Sequence, residues 1–272
     1  MARNSAKRSI KVAISLVWYA AHRSFEVFGL AHKNRARLII LFFHAVRVGD
    51  IPAFRRQLEA IKTYADVVDA DYVEKPDGRP KVAITFDDAF MSMVDNAVPE
   101  LVAHEMPYTI FVPTGCLRGN PSWHMESTAL DRHEIVASGA TLRSLASMGA
   151  RMGAHSRFHP KLTLIGPNEA QAEIGGSKAE LESLLGQTVE LFAFPYGDFN
   201  QQTLHFCKEA GYRFVYSIGP GSVDPTDTTM LRPRVAVKLS DTRLEFWLKL
   251  RGGYEWMQLA SALKHQFHRA KW

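Results

Sequence analysis

The chain has 272 residues, of which 46% are hydrophobic and 22% are charged, and its formal net charge is +5 at pH 7. This ordinary globular balance fits one α/β domain of barrel size better than two small domains. The two cysteines, Cys116 and Cys207, are too far apart for a disulfide framework, and no CxxC pair indicates a metal knuckle.

A short apolar run near the N-terminus, from Val12 to Ala21, follows several basic residues and superficially resembles a signal peptide. Bulky side chains crowd any cleavage site, and the run is too short to span a bilayer. We therefore expect residues 1–36 to form an uncleaved, basic amphipathic helix, and secretion is the less expected outcome. The predicted apolar face consists of Ile10, Ile14, Val17, Trp18, Ala21, Phe25 and Phe28.

Basic residues are dense at both ends of the chain: Arg3, Lys7, Arg8 and Lys11, then Lys249, Arg251, Lys264, Arg269 and Lys271. They indicate either peripheral contact with an anionic membrane or two solvated helix faces, and both interpretations stay open. No nucleic-acid motif accompanies the charge, so we expect no nucleic-acid partner. The predicted location is the cytoplasm, with contact at the inner face of the membrane as an option.

From residue 38 onward, apolar runs alternate with segments of helical spacing. Strands are predicted at 38–43, 81–86, 108–112, 150–154, 189–194, 213–218 and 235–238. Helices are predicted near 54–65, 94–104, 141–148, 180–185 and 201–210, with Asp50 and Thr141 as candidate caps, and the tail from residue 240 is expected to be helical. This alternation predicts a parallel sheet with helical crossovers, either open or closed into a barrel.

Polar side chains follow four of these strands at their carboxyl ends. His44, Asp87, His155 and Tyr196 are far apart in sequence. In parallel sheets and barrels the carboxyl ends of the strands share one edge, where functional sites assemble. We therefore expect these side chains to meet there.

Two adjacent acids, Asp87 and Asp88, repel each other at a strand end unless a counter-charge is present. His155 and His159 are four residues apart, a spacing that can present both rings to one metal ion. One carboxylate and two imidazoles are a common ligand set for a divalent metal. Each feature alone is weak, because turn acids and surface histidine pairs are frequent.

Three segments in this order resemble the polysaccharide deacetylases of carbohydrate esterase family 4, the NodB-homology domain. They are Thr85-Phe86-Asp87-Asp88, His155-Ser-Arg-Phe-His159-Pro160 and Phe192-Ala-Phe-Pro-Tyr196-Gly197. The resemblance covers about residues 38–239 and implies a distorted (β/α) barrel with added terminal helices. The resulting division is an N-terminal helix at 1–36, the deacetylase barrel at 37–239 and a basic helical tail at 240–272.

The resemblance implies metal-dependent hydrolysis of an N-acetyl group on an amino sugar, polysaccharide or lipid-linked glycan. Asp88, His155 and His159 would hold the metal, Asp87 would be the base, and the backbone amide of Tyr196 would stabilise the oxyanion. Zinc is the expected metal, and such a mixed nitrogen and oxygen site also accepts cobalt or nickel.

The catalytic acid depends on a narrower resemblance. Many family members supply a late Leu-x-x-His histidine, and the segment from Leu231 to Val237 contains none. The pattern is closer to a poly-N-acetylglucosamine deacetylase subgroup whose acid follows the first strand, which implies His44 as the acid.

Two positions depart from the family pattern. Ala89 replaces a glycine, and Ala193 replaces an arginine that pairs with the base, a role that Arg234 is a candidate to take over. These departures leave open a catalytically impaired glycan-binding module. A barrel hydrolase of a small non-sugar amide is a further alternative, because Trp123 could either stack on a sugar or belong to the core.

Overall fold

The structure is a computed structural model that describes residues 2–27, 37–75 and 77–258. In these ranges the strands are β1 (Leu38–Phe43), β2 (Asp66–Val68), β3 (Lys81–Phe86), β4 (Thr109–Val112), β5 (Arg151–Ala154), β6 (Leu191–Ala193), β7 (Phe214–Tyr216), β8 (Leu231–Arg232) and β9 (Val235–Ala236). The α-helices are α1 (Ala2–Val27), α2 (Ile51–Tyr64), α3 (Met91–Asn96), α4 (Val98–Ala103), α5 (Gly139–Ser147), α6 (Pro167–Leu185), α7 (Gln201–Glu209) and α8 (Arg243–Leu250).

Every strand pairing in the sheet is parallel, in the order β8-β7-β6-β5-β4-β3-β1-β9. Strand β2 pairs with the first half of β3, whereas β4 pairs with its second half. β1 and β3 are uninterrupted apolar runs that are buried throughout, as expected for strands covered on both faces.

The two edge strands of this sheet, β8 and β9, are consecutive in the chain. Only Pro233 and Arg234 separate them, although β8 pairs with β7 and β9 pairs with β1. The three Cα–Cα steps from Arg232 to Val235 span at most about 11 Å, so the edges must lie close together. The sheet therefore curls into a distorted barrel, as the family resemblance implies, and the alternation of strands and helices had left an open sheet possible.

Alternate residues of the strands build two separate cores. Leu38, Ile40, Ala83, Phe111, Leu191, Phe214 and Tyr216 belong to a cluster inside the curl. Gly153 makes room there, since a Cβ on it would lie 2.5 Å from the ring of Phe111. The larger cluster, with Ile39, Leu41 and Phe43, fills the layer between sheet and helices.

Several predicted elements differ from the observed ones. Helix α5 is capped by Ser138, whose hydroxyl accepts the Thr141 N–H, so the prediction of Thr141 as the cap was wrong. Helix α6 extends much further toward the N-terminus than the predicted segment 180–185, and β2 was not predicted. Asp50 precedes α2 as predicted, but its carboxylate accepts the Arg47 N–H rather than a helical one.

The terminal segments pack against each other outside the barrel. Helix α1 contacts α8, where the Arg8 guanidinium binds Glu245. None of the helices in the described ranges has the length and hydropathy of a membrane-spanning segment. Phe28 and the basic residues Lys264, Arg269 and Lys271 lie outside the described residues, as do the side chains of Arg3 and Phe25.

Candidate functional site at the carboxyl edge of the barrel

The turn after β3 carries the two adjacent acids. The Asp87 N–H donates to the Phe43 carbonyl, which continues the pairing with β1 for one more residue. The backbone then turns sharply, with φ of 71° at Asp88 and 52° at Ala89. The family glycine is therefore replaced by an alanine that adopts the left-handed conformation, which costs about 1–2 kcal/mol.

Asp87 forms a buried, two-point ion pair with Arg234. The guanidinium Nη1 and Nη2 atoms donate to the two carboxylate oxygens at 2.6 and 2.8 Å, and neither side chain is more than 3% exposed. Ala193 lies inside the barrel and has no charge to offer. The connection between β8 and β9 therefore supplies the cation that the resemblance places at the last residue of β6.

The two histidines lie on the loop that follows β5. The Ser156 hydroxyl accepts the His159 N–H, while the buried Glu173 carboxylate of α6 accepts the N–H groups of Arg157 and Phe158 at 2.8 and 2.9 Å. This pair of charge-assisted hydrogen bonds holds the loop between the two imidazoles.

Asp88, His155 and His159 converge on one point. Their nearest ligand atoms all lie within 4.8 Å of one another, and Asp88 Oδ1 is 3.7 Å from His155 Nε2 and 3.5 Å from His159 Nε2. Tetrahedral ligands at about 2.0–2.2 Å from one ion lie roughly 3.3–3.6 Å apart, so the spacing fits a divalent metal. His155 Nδ1 is 2.7 Å from the Ala193 carbonyl, which leaves Nε2 facing the cluster.

Asp88 Oδ1 also shows that a cation fits. It is buried, and it has no hydrogen-bond partner in the described part of the chain. Burial and the neighbouring charge of Asp87 raise the pKa of Asp88 well above its usual value. Burial also lowers the pKa of His155 to about 4 and that of His159 well below its usual value, so both rings are neutral. One orphaned carboxylate oxygen beside two neutral imidazoles is the donor set of a divalent metal site.

The pKa of Asp87 shifts in the opposite direction from that of Asp88. Burial alone would raise its pKa, but the charge and the hydrogen bonds of Arg234 lower the pKa to about 2. At neutral pH this carboxylate is therefore ionised and can accept a proton.

The other two predicted residues also border the cluster. His44 follows β1 and lies close enough to Asp87 to affect its pKa, with its ring 5.6 Å from that of Phe42. The ring of Tyr196 lies edge-on to His159 at 4.7 Å, and its backbone has φ of 58°. The fold thus brings all six predicted site residues to one edge of the barrel.

A cleft of about 280 Å³ opens beside His159. Its lining residues are Trp123, His124, Phe158, His159, Pro160, Lys161 and Tyr196. The ring of Trp123 is stacked between those of His159, at 4.6 Å, and Phe90, at 6.3 Å. Trp123 therefore supports His159, which favours the core interpretation of this residue over a free sugar platform.

Backbone strain is concentrated at this edge. Seven described residues other than glycine have φ between 52° and 71°, and five of them belong to the site: Asp88, Ala89, Ser156, His159 and Tyr196. Such conformations cost of order 1–3 kcal/mol each and persist where the surroundings enforce them, which is typical of functional sites.

Glu173 is the site residue that sequence reasoning missed. It lies in the half of α6 that was not predicted, although Pro167 at the first turn is a signal of a helix start. No local pattern indicates that its carboxylate reaches the loop after β5, because that contact depends on how α6 packs on the barrel.

A parallel barrel with a convergent carboxylate and imidazole cluster at its carboxyl edge defines a protein that uses this edge for chemistry or binding. Residues 74–215 match the family model described as polysaccharide deacetylase, and the chain belongs to this family.

Two named relatives agree with this assignment, and a solved structure shares the fold. The chain is 25% identical over 199 residues to the Bacillus subtilis (strain 168) protein YxkH, covering 69% of this chain and 66% of that protein. It is 27% identical over 188 residues to the poly-beta-1,6-N-acetyl-D-glucosamine N-deacetylase of Staphylococcus aureus (strain MRSA252), covering 67% and 63%. The structure of IcaB from Ammonifex degensii superposes with a TM-score of 0.69 at 21% identity, covering 80% and 97% of the two chains.

The chain spans 66% and 63% of the length of the two named relatives. The likeness to IcaB, at 21% identity, supports the distorted barrel fold.

Proposed function

We propose that this protein is a metal-dependent N-deacetylase that hydrolyses the N-acetyl group of an amino-sugar glycan. The observation that carries the proposal is the Asp88, His155 and His159 cluster next to the ionised Asp87–Arg234 pair. Family membership and the named activity of the Staphylococcus aureus relative support the choice of an acetylated sugar.

Asp88, His155 and His159 would hold a divalent ion, with zinc as the expected metal and cobalt or nickel as the alternatives. When bound, the ion would polarise the acetyl carbonyl and lower the pKa of water. The chain's own part is to keep both imidazoles neutral and to leave Asp88 Oδ1 without a hydrogen-bond partner among the residues that the structure describes.

Asp87 would take the proton from the attacking water. Its two oxygens bind Arg234, but each carboxylate oxygen can accept more than one hydrogen bond, so capacity remains for a water molecule. Arg234 keeps the carboxylate ionised and fixes its orientation. His44 would protonate the leaving amine, and the Tyr196 N–H would bind the oxyanion.

Neither departure from the family pattern gives much support to an impaired glycan-binding module. Ala89 adopts a positive φ within the turn, and Arg234 supplies a cation to Asp87. Phe158, about half exposed beside the cleft, offers an apolar surface for a sugar ring. Residence in the cytoplasm stays a prediction.

The test combines metal content with amine release. The purified chain is loaded with zinc, cobalt or nickel, and incubated with N-acetylglucosamine oligomers of different linkage, including β-1,6, and with small acetylated amides. We expect bound metal and free amine from the oligomers, and we expect Asp88→Ala to lose both. Bound metal with turnover of the small amides alone would support the non-sugar hydrolase instead, and glycan binding without metal or turnover would support the impaired module.

A further inference from the structure

Helix α1 turns an unexpected face toward the rest of the protein. Ser15 is fully buried and its hydroxyl accepts the Trp256 Nε1–H at 2.9 Å. One turn further along, the ring of Tyr19 lies edge-on to that of Trp247 in α8 at 4.8 Å. The side of α1 that packs on the protein is therefore anchored by polar and aromatic contacts.

The aliphatic side of α1 faces solvent. Ile10, Ile14 and Val17 follow one another at helical spacing and are 59%, 41% and 70% exposed. An amphipathic helix normally turns such a stripe toward the core. These three residues belong to the apolar face predicted from the sequence, and among the described residues no side chain covers them well.

Basic side chains flank this aliphatic stripe. Lys7 and Lys11 line a cleft of about 550 Å³ together with Lys238, and these three lysines form no salt bridge with any side chain that the structure describes. The two acids of the cleft are already engaged, because Glu245 binds Arg8 at 2.5 Å and Asp241 binds Lys249 at 2.6 Å. The surface beside the stripe is therefore cationic.

We propose that the aliphatic stripe of α1, with Lys7 and Lys11 beside it, is a docking surface for an anionic lipid bilayer. Such a helix would lie in the interface with its apolar side toward the acyl chains and its lysines among the headgroups. A second copy of the chain is a poorer occupant, since a two-fold contact through the stripe would oppose the same lysines.

Docking would also orient the barrel. Arg8 donates to the Ser240 carbonyl, shortly after β9 ends at the carboxyl edge. The first turns of α1 therefore lie near the edge that carries the candidate site. The inference does not depend on the deacetylase proposal, because it concerns a surface outside the site and its test measures binding alone.

The contribution of the aliphatic stripe is tested by co-sedimentation of the full chain with vesicles of phosphatidylglycerol and phosphatidylcholine. Vesicles of phosphatidylcholine alone are the comparison. We expect binding to the anionic vesicles only. Val17→Glu should weaken it by about tenfold or more, since a buried valine contributes of the order of 1.5 kcal/mol. Val102→Glu is the matched control, an exposed valine on α4, and should bind like the unchanged chain.

The contribution of the two lysines beside the stripe is tested with the double variant Lys7→Glu/Lys11→Glu. Each lysine near an anionic surface contributes about 1 kcal/mol, or roughly fivefold, so we expect binding to fall by at least about 25-fold. Lys62→Glu/Lys208→Glu changes the net charge equally on α2 and α7 and should have a much smaller effect. High salt should weaken binding of the unchanged chain.

Three results would overturn the proposal. One is no sedimentation with anionic vesicles at low salt. Another is a loss of vesicle binding that is as large in the control variants as in Val17→Glu and Lys7→Glu/Lys11→Glu. The third is a concentration-dependent dimer in analytical ultracentrifugation that Val17→Glu abolishes, without any vesicle binding, which would assign the stripe to a second copy.

Discussion

Two buried arginines lie two residues apart where the sheet closes. Arg232 and Arg234 are separated only by Pro233, and neither is more than 1% exposed. Arg232 donates to the backbone carbonyls of Ala70, Tyr72 and Asp227, and its guanidinium lies 3.6 Å from the centre of the Phe214 ring. Arg234, one step closer to the carboxyl edge, donates to both oxygens of Asp87.

The difference between these arginines is in their partners rather than their burial. Backbone carbonyls and a ring face are the contacts of the Arg232 guanidinium, its Nε has no hydrogen-bond partner in the described part of the chain, and burial lowers its pKa. Arg234 meets a carboxylate and keeps it ionised. The same kind of side chain therefore packs against carbonyls and a ring at one position and controls a reactive group two residues further on.

The largest expected effect comes from removing the charge that distinguishes the carboxyl edge. Asp87→Asn keeps the shape of the side chain but removes the proton acceptor, so deacetylation should fall by roughly 100-fold or more. Metal content should be retained, because the ligands are unchanged. Amine release and bound metal are measured together, with Asp95→Asn on α3 as the control. Near-normal turnover would assign the base elsewhere.

Replacing each arginine by methionine distinguishes the role of Arg234 at Asp87 from the structural role of Arg232. Without Arg234, burial would dominate and the pKa of Asp87 would rise, so the acidic limb of the activity profile should move to higher pH in Arg234→Met. We expect activity at neutral pH to fall by about 10- to 100-fold.

Arg232→Met is the comparison variant. It leaves buried carbonyls without a donor, so it should lower the free energy of unfolding by about 1–3 kcal/mol while the pH profile stays in place. Unfolding in urea and pH–rate profiles of both variants provide the check. Equal shifts of the acidic limb would mean that Arg234 does not act through Asp87.

Much of this carboxyl edge could be predicted from the sequence, because strand ends and short motifs are local. β1, β3 and the residues that follow them, His44, Asp87 and Asp88, lie where the alternation of apolar runs places them. The position of the two histidines could be predicted in the same way, because the apolar run that forms β5 directly precedes His155.

The parts that sequence reasoning left open depend on tertiary packing. Arg234 could be named only as a candidate, since its contact with Asp87 spans 147 positions and requires the barrel to close. The outward direction of Val17 could not be predicted either. Its helical spacing indicates an apolar face, and only the contacts of Ser15 and Tyr19 show which side packs on the protein.

Glu173 offers a smaller effect on the same edge. Glu173→Gln removes the charge that accepts the Arg157 and Phe158 N–H groups, so the loop between the histidines should be held less firmly. We expect metal affinity to weaken by about tenfold, the lower end of the range for residues that support metal ligands. Competition with a zinc indicator measures it, and the exposed Glu169→Gln on α6 is the control. Unchanged affinity would make Glu173 a structural residue only.

The smallest expected effect concerns an ion pair outside the barrel that contrasts with Asp87–Arg234. Glu245 is buried, but its partner Arg8 is 45% exposed, so solvent screens the pair. The hydrogen bond from Arg8, opposed by burial and aided by Thr242, lowers the pKa of Glu245 to about 2 from a usual 4.5. A lowered pKa in the folded state means that the stabilisation is complete above about pH 4.5 and is lost as the pH falls toward 2.

Arg8→Gln should therefore reduce the free energy of unfolding by at most about 1 kcal/mol at pH 6, the scale of exposed ion pairs. The difference from the unchanged chain should shrink at pH 3, where part of the charge contribution is lost, and it should approach what the Ser240 carbonyl contributes through its hydrogen bond with Arg8 only as the pH nears 2. Urea unfolding at pH 6, 4.5 and 3 measures this, with Lys208→Gln as the control. If the difference in the free energy of unfolding stays constant over this pH range, Glu245 does not contribute to stability through its charge. The exposed pair would then differ from the buried Asp87–Arg234 pair in kind, because only the buried pair would act through an ionised carboxylate.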